Sequence, residues 1–253
     1  MSTTYFYHTQ AKMNERVEFE SSEATHITKA LRMKSGEFIE LTNGRGKLFT
    51  AELSFDKHHV SALIKEEIQT FDTPIPLHLG IAPTKNADRI EWLVEKAVEL
   101  GIGEITLIQC AHSERSRISI DRMNRVAIAA LKQSQRTYLP RVNDTVDFLN
   151  WLKQVNSEQR FIAHCMDNLP RTLLRDSIQV LTNTETNRTS DNHSSISSSS
   201  VCIAIGPEGD FSEAEILAAQ SNSFKGVSLG NARLRTETAA LAAVHTFNLV
   251  NQH

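Results

Sequence analysis

The sequence predicts an α/β protein: a larger part built as a helix-covered parallel sheet, and a small β-barrel at the N-terminus. Three observations predict it. From Leu77 to the C-terminus short apolar runs alternate with helix-periodic ones, the pattern of strands joined by crossover helices. The first seventy or so residues lack that alternation and carry strand-like runs broken by turn residues. The proline-marked stretch FDTPIP, at 71–76, separates the two. A barrel domain is expected over residues 1–72 and an α/β domain over 73–253.

The barrel rests on FIELTNGRGKLFTAELSF, where Asn43-Gly44-Arg45-Gly46 is a hairpin signal because those residues tolerate positive φ. VSALIKEEI adds an alternating run, and THITKALRMKSGEFI suggests a short helix ending near Gly36. In the α/β part LHLGIA, EITLIQC, FIAHC, VCIAIG and GVSLG read as strands. Helices are expected at ADRIEWLVEKAVELG, IDRMNRVAIAALKQSQ, RTLLRDSIQVL, SEAEILAAQ and TETAALAAVHTFNLV. TNTETNRTSDNHSSISSSS, at 182–200, is polar and without apolar periodicity, and is expected to be a disordered insertion.

Composition narrows the function classes. With 40% hydrophobic and 23% charged residues, the chain is long and apolar enough to bury a core. No apolar run approaches the roughly 20 residues of a membrane span. MSTTYFYHTQAKMNERVEF has no basic start followed by an apolar stretch, so no signal peptide is expected. Cys110, Cys165 and Cys202 are far apart, with no His or Cys at ligand spacing. Neither disulfide nor metal is therefore expected, and a reducing cytoplasm fits best.

The net charge of −3 argues against a polyanionic partner overall, but a local patch is what binds phosphate. SERSRISIDRMNRVAIAALKQSQRTYLPR holds Arg115, Arg117, Arg122, Arg125, Lys132, Arg136 and Arg141 against Glu114 and Asp121. On a helix over 121–136, Arg122, Arg125, Lys132 and Arg136 share a face, with Met123, Val126, Ala130 and Leu131 turned to the core. Spacing alone fits a solvated face equally well.

Ligands of open parallel sheets bind beyond the carboxyl ends of strands. Two such ends carry glycine, IAIGPEGDFS and VSLGNARLRTETA, and neither is a P-loop or a GxGxxG fingerprint. Ser212 and Glu215 form a capping box for the helix after the first, which explains part of that motif without a ligand.

GPEGDFSEAE followed by SLGNARLRTETAALAA resembles the signature of the RsmE-type ribosomal RNA small-subunit methyltransferases, in the SPOUT superfamily of knotted enzymes. HITKALRMKSGEFIELTNGRG resembles that family's PUA-like barrel, and KNADRIEWLVEKAVELGIGEITLI its first knotted-domain helix and second strand. SERS and LKQSQRTYLPRV match its central segment. The resemblance implies a C-terminal trefoil knot whose loops cradle S-adenosylmethionine, and methyl transfer to N3 of a uridine in small-subunit (16S) ribosomal RNA. It implies one cofactor wall from Gly206, Pro207, Glu208 and Gly209, and another from Leu229, Gly230, Asn231, Ala232, Arg233 and Leu234, with Thr238 beyond. A homodimer is implied, and TETAALAAVHTFNLV could supply part of its interface. The chain departs from the family pattern at Asn231-Ala232-Arg233, where the basic residue is displaced by one, and at Lys132, where an acid is usual.

Uridine N3 carries a proton at neutral pH, so the site needs a base or groups that stabilise the uracil anion. Arg235 is the candidate for the anion and Glu237 for the base, although an acid in the first turn of a helix also suits the dipole. N3 lies on the pairing edge, so the target must be unpaired or flipped out. The alternatives are a SPOUT enzyme acting on a ribose 2′-oxygen or another base, and a catalytically silent RNA-binding protein.

Overall fold

A computed structural model describes residues 4–56, 59–70, 72, 74–114, 118–179 and 200–251. Arg115, Arg117 and residues 182–199 of the serine-rich insertion lie outside them. The chain divides into two compact units, one of residues 1–73 with 128–139, the other of 74–127 with 140–253.

The first unit is a five-stranded sheet of order β1-β3-β4-β5-β2. Its strands are β1 (Tyr5–Tyr7), β2 (Arg16–Glu18), β3 (Phe38–Thr42), β4 (Leu48–Asp56) and β5 (His59–Ile68), and α1 (Ser21–Thr25) lies between β2 and β3. The Asn43–Gly46 signal makes the β3–β4 hairpin: Gly44 and Gly46 have φ of 72° and 91°, and the Asn43 Oδ1 accepts from the Arg45 N–H at 2.8 Å. Along β4 burial alternates, so Phe49, Ala51 and Leu53 join Phe6, Ile27 and Ile39 in one core. The helix expected to end near Gly36 is shorter. After α1 the chain makes a π-helical turn, His26–Ala30, and Gly36 serves a later turn at φ 89°.

Residues 128–139 belong to this unit because side chains anchor them there. The Asp72 carboxylate accepts from the Thr137 N–H at 2.6 Å and pairs with the Arg136 guanidinium at 2.6 Å. The Tyr5 hydroxyl donates to the Arg136 carbonyl at 2.9 Å.

The second unit is a seven-stranded parallel sheet of order β10-β12-β9-β11-β6-β7-β8. Its elements in chain order are β6 (Ile75–Ile81), α2 (Ala87–Glu99), β7 (Ile102–Gln109), α3 (Ile120–Ser134), β8 (Arg141–Asp147), α4 (Phe148–Gln154) and β9 (Gln159–Ala163). There follow β10 (Thr172–Leu173), α5 (Leu174–Ser177), β11 (Val201–Ile205), α6 (Glu213–Ser221), β12 (Lys225–Ser228) and α7 (Thr236–Asn251). The unit division falls within α3. Central β11 is buried at every position, as a strand covered on both faces must be. On one face Cys202, Ala204 and Ile162 pack under Phe148, Trp151, Phe211, Ile216 and Phe224. Helices α2 and α7 cover the other, contacting each other and strands β6, β7 and β11. β8 and α4 are not separable as elements in the sequence, and the described part of RTLLRDSIQVL, residues 171–179, holds a two-residue strand and one helical turn rather than a helix.

Candidate functional site

Because the sheet is parallel, the loops after β6, β7, β9, β11 and β12 all leave its carboxyl edge. The strand order places β9 between β11 and β12. The two glycine-bearing loops are therefore separated by one strand, and the loop after β9, His164–Met166, lies between them. No motif in the sequence marks that third loop.

Gly206 and Pro207 are buried where β11 ends, and Glu208 and Gly209 are exposed. A Cβ on Gly206 would lie 3.0 Å from the Phe211 ring and 3.3 Å from its backbone nitrogen. This glycine is thus required by the core beneath the loop. Gly230 is different: its φ is 118°, and the space a Cβ would take is open. Beside it, the Ser228 hydroxyl donates to the Gly230 carbonyl at 3.1 Å. Asn231, Ala232, Arg233 and Arg235 are exposed, Leu229 and Leu234 half-buried. Neither Arg233 nor Arg235 forms an ion pair among the described residues. Thr238 is exposed and lines a groove between α2 and α7, with Trp92, Leu100, Leu241 and Ala242.

Three carboxylates after β11 each take a backbone N–H from a different neighbouring loop. The Glu208 Oε1 accepts from Lys85, after β6, at 3.3 Å. The Asp210 Oδ2 accepts from Cys165, after β9, at 2.7 Å. The Glu215 Oε1 accepts from Ala111, after β7, at 2.8 Å. Asp210 sits at φ 63° and also accepts from its neighbour Phe211 at 2.8 Å, which offsets the cost of a left-handed conformation.

Two buried polar side chains at this edge hold atoms that lack a partner among the described residues. Glu237, 7% exposed, faces Arg89 with Oε1 at 3.7 Å from Nε, while its Oε2 has none. His164, 4% exposed, has no partner at either ring nitrogen, and burial holds its pKa below the ordinary value. Buried polar atoms are seldom left so, and both fit a site that meets a polar ligand. The apolar end of FIAHC closing on a histidine was the signal for His164. Arg89 could be found only from the fold.

The basic stretch is distributed differently from its spacing. Arg136 lies beyond the end of α3 and is bound to Asp72. Lys132 pairs with Glu23 at 3.0 Å and Arg122 with Glu91. Arg125 is exposed and, among the described residues, makes no ion pair. Met123, Ala130 and Leu131 are buried as expected, but Ala127, rather than Val126, completes that face. All three cysteines are free. Among the described residues no group of acids, histidines and cysteines could hold a metal ion, and no helix is long and apolar enough to cross a membrane.

A seven-stranded parallel sheet with two glycine-bearing loops at its carboxyl edge, joined to a small mostly antiparallel sheet, defines a two-unit α/β protein whose candidate ligand site is that edge. Residues 72–248 match the RNA methyltransferase domain family, and residues 19–65 match the RNA methyltransferase PUA domain. The chain belongs to the RNA methyltransferase family. It is 29% identical to the ribosomal RNA small subunit methyltransferase E of Rickettsia conorii, over 95% of this chain and 92% of that one. A crystal structure of a probable rRNA-methyltransferase from Porphyromonas gingivalis is similar over 98% of both chains, with TM-score 0.83 and 32% identity. The ribosomal RNA small subunit methyltransferase E of Neisseria gonorrhoeae, bound to S-adenosyl methionine, matches with TM-score 0.80 and 25% identity, over 99% of this chain and 98% of that one.

Proposed function

We propose that this protein transfers a methyl group from S-adenosylmethionine to N3 of a uridine in small-subunit ribosomal RNA. The observation that carries the reading is the set of loops after β9, β11 and β12 at one sheet edge, in a chain whose full-length relatives are named for this class of reaction. Gly206–Gly209 and Leu229–Leu234, with His164 between them, would hold the cofactor. When bound, the cofactor supplies an electrophilic methyl carbon on a positively charged sulfur.

The chain's own residues then have two tasks. One is to hold an unpaired uracil in line, since alignment accounts for much of a displacement of this kind. The other is to remove the N3 proton or stabilise the anion that its loss leaves. The unpartnered Oε2 of Glu237 is the acceptor for that proton, with Arg89 orienting the carboxylate through Oε1. The exposed guanidinium of Arg235, one residue before α7 and without an ion pair among the described residues, is suited to the uracil anion. Arg125 and the barrel unit supply phosphate contacts. We read the carboxyl-edge loops as the turns of a trefoil knot, the cytoplasm as the place of action, and the groove between α2 and α7, about 470 Å³ with Trp92 42% exposed at its rim, as the surface that a second copy covers. Incubating the purified protein with labelled S-adenosylmethionine and small-subunit RNA, followed by nucleoside separation, tests the reading. Label should co-migrate with 3-methyluridine; label in a 2′-O-methylated nucleoside would replace it with the alternative chemistry.

A further inference from the structure

We propose that Glu215 is a positioning residue for the cofactor loops, acting through the loop after β7 and not only as a helix cap; this rests on the reading above. Its sequence context explains all but one of its bonds. The Oε2 accepts from the Ser212 N–H at 2.8 Å and the Ser212 hydroxyl at 2.9 Å, while the Ser212 Oγ accepts from the Glu215 N–H at 3.3 Å. That is a capping box, complete within residues 212–215. The Oε1 is not needed for it. This oxygen takes the Ala111 N–H at 2.8 Å, 104 residues away in sequence.

Ala111 belongs to a loop pressed against the GPEGD turn at two further points. The His112 ring Nδ1 lies 3.1 Å from the Asp210 carbonyl, which accepts from it. The His112 Cβ would be 3.1 Å from a Cβ on Gly209, so only glycine fits there without displacement. The loop is folded on itself as well, with the Cys110 N–H donating to the Ser113 hydroxyl at 3.0 Å. Glu215 is 7% exposed, so the bonds of its carboxylate are shielded from water and not easily exchanged for it, while the His112 bond lies at the exposed rim of the joint. The carboxylate thus joins the start of α6 to the loop after β7, and the GPEGD turn is clamped between them. Gly206–Gly209, the proposed cofactor wall, runs through that clamp.

A glutamine at 215 has one acceptor oxygen and one amide nitrogen, which cannot accept from the N–H groups that approach from both sides. The two Ser212 donors hold that single oxygen, so the amide nitrogen faces the Ala111 N–H and Glu215→Gln breaks the link to Ala111. Ser212→Ala removes the capping hydroxyl and leaves the link to Ala111 in place. Titration of folded protein with S-adenosylmethionine, below each variant's melting temperature, separates the two roles. Glu215→Gln is expected to weaken cofactor binding about ten-fold to a hundred-fold, the range for one buried bond to a charged group. Ser212→Ala should lower the melting temperature yet bind within about two-fold of wild type, since a cap contributes to helix stability and not to the loop joint. His112→Ala loosens the same joint without touching the cap, and should weaken binding about three-fold to ten-fold; it carries the test if Glu215→Gln does not fold. Equal weakening by Ser212→Ala and Glu215→Gln, or wild-type affinity in Glu215→Gln and His112→Ala, would overturn the proposal. A wild-type protein that binds no S-adenosylmethionine would instead overturn the functional reading on which it rests.

Discussion

Gly206 and Gly230 look alike in the sequence and differ in the fold. Phe211 occupies the space beside Gly206, so a larger residue there disturbs the core and says little about a ligand. Gly230 has open space and a left-handed φ, so Gly230→Ala strains only the loop, by about 1 kcal/mol or somewhat more. It should leave the melting temperature within a few degrees while weakening S-adenosylmethionine binding in a calorimetric titration; unchanged affinity would remove this loop from the cofactor site. Glu237→Gln keeps the size of the side chain and removes its basicity. The turnover number should fall about a hundred-fold or more with cofactor affinity nearly constant, which single-turnover assays can separate. Half-buried His78 has a pKa held below its ordinary 6.5 by desolvation, against the pull of Glu104. The unfolded chain therefore takes up this proton first as pH falls below about 6.5, and stability drops with it. His164 is shifted the same way. Melting temperatures between pH 8 and pH 5 should decline on the acid side, and less steeply in His78→Gln.

Among the elements, what the sequence disclosed follows from burial. β11 could be read because a strand covered on both faces is a continuous apolar run, and α2 because its buried Ile90, Leu93, Val94 and Ala97 recur at helical spacing. β8 was missed because it is an edge strand: in RVNDTVD only Val142 is buried, so neither period stands out. α4 follows it with no intervening turn residue, Asp147 ending the strand and capping the helix through a bond from the Asn150 N–H at 3.0 Å. The RTLLRDSIQVL stretch has helical spacing but yields only one turn, a case of tertiary context overriding pattern. The basic face of α3 shows what spacing conceals, since partners on distant segments, Glu91, Glu23 and Asp72, engage Arg122, Lys132 and Arg136. Arg125→Ala should therefore flatten the salt dependence of RNA binding by about one phosphate's share, roughly 0.7–0.9 in log–log slope. Arg136→Ala should instead cost stability. Equal slopes for wild type and Arg125→Ala, in a binding series over salt, would return α3 to the status of a solvated helix.

For the molecule as a whole, the two-part organisation was legible from composition and the proline-marked FDTPIP stretch, but not the return of residues 128–139 to the first unit. That return depends on Asp72, and no local pattern announces a carboxylate bonding residues 65 positions away. The candidate cofactor site was legible where it has glycine and illegible where it has bonds between loops, because the acids that join them read locally as turn and cap residues. The serine-rich insertion can be judged from its flanks. The Gln159 side-chain amide donates to the Gln179 backbone carbonyl at 3.0 Å and accepts from the Gln179 N–H at 2.8 Å, and the Gln159 backbone N–H donates to the Ser200 carbonyl at 3.2 Å. Both ends are thus held at one residue, and a short linker can close the gap at little entropic cost. Replacing residues 184–199 by a Gly-Ser linker should leave melting temperature and methyl transfer nearly unchanged; a folded but inactive variant would assign the insertion a role in RNA contact.

If the edge loops of the parallel sheet direct a methyl group to N3 of a uridine in small-subunit ribosomal RNA, that RNA loses the mark in cells without this chain. The most direct measurement is nucleoside mass analysis of that RNA from cells lacking this chain, with and without the wild-type or Glu237→Gln protein restored. Loss of 3-methyluridine on deletion, its return with wild type and its failure to return with Glu237→Gln is the expected result. A 3-methyluridine content that deletion leaves unchanged would contradict it.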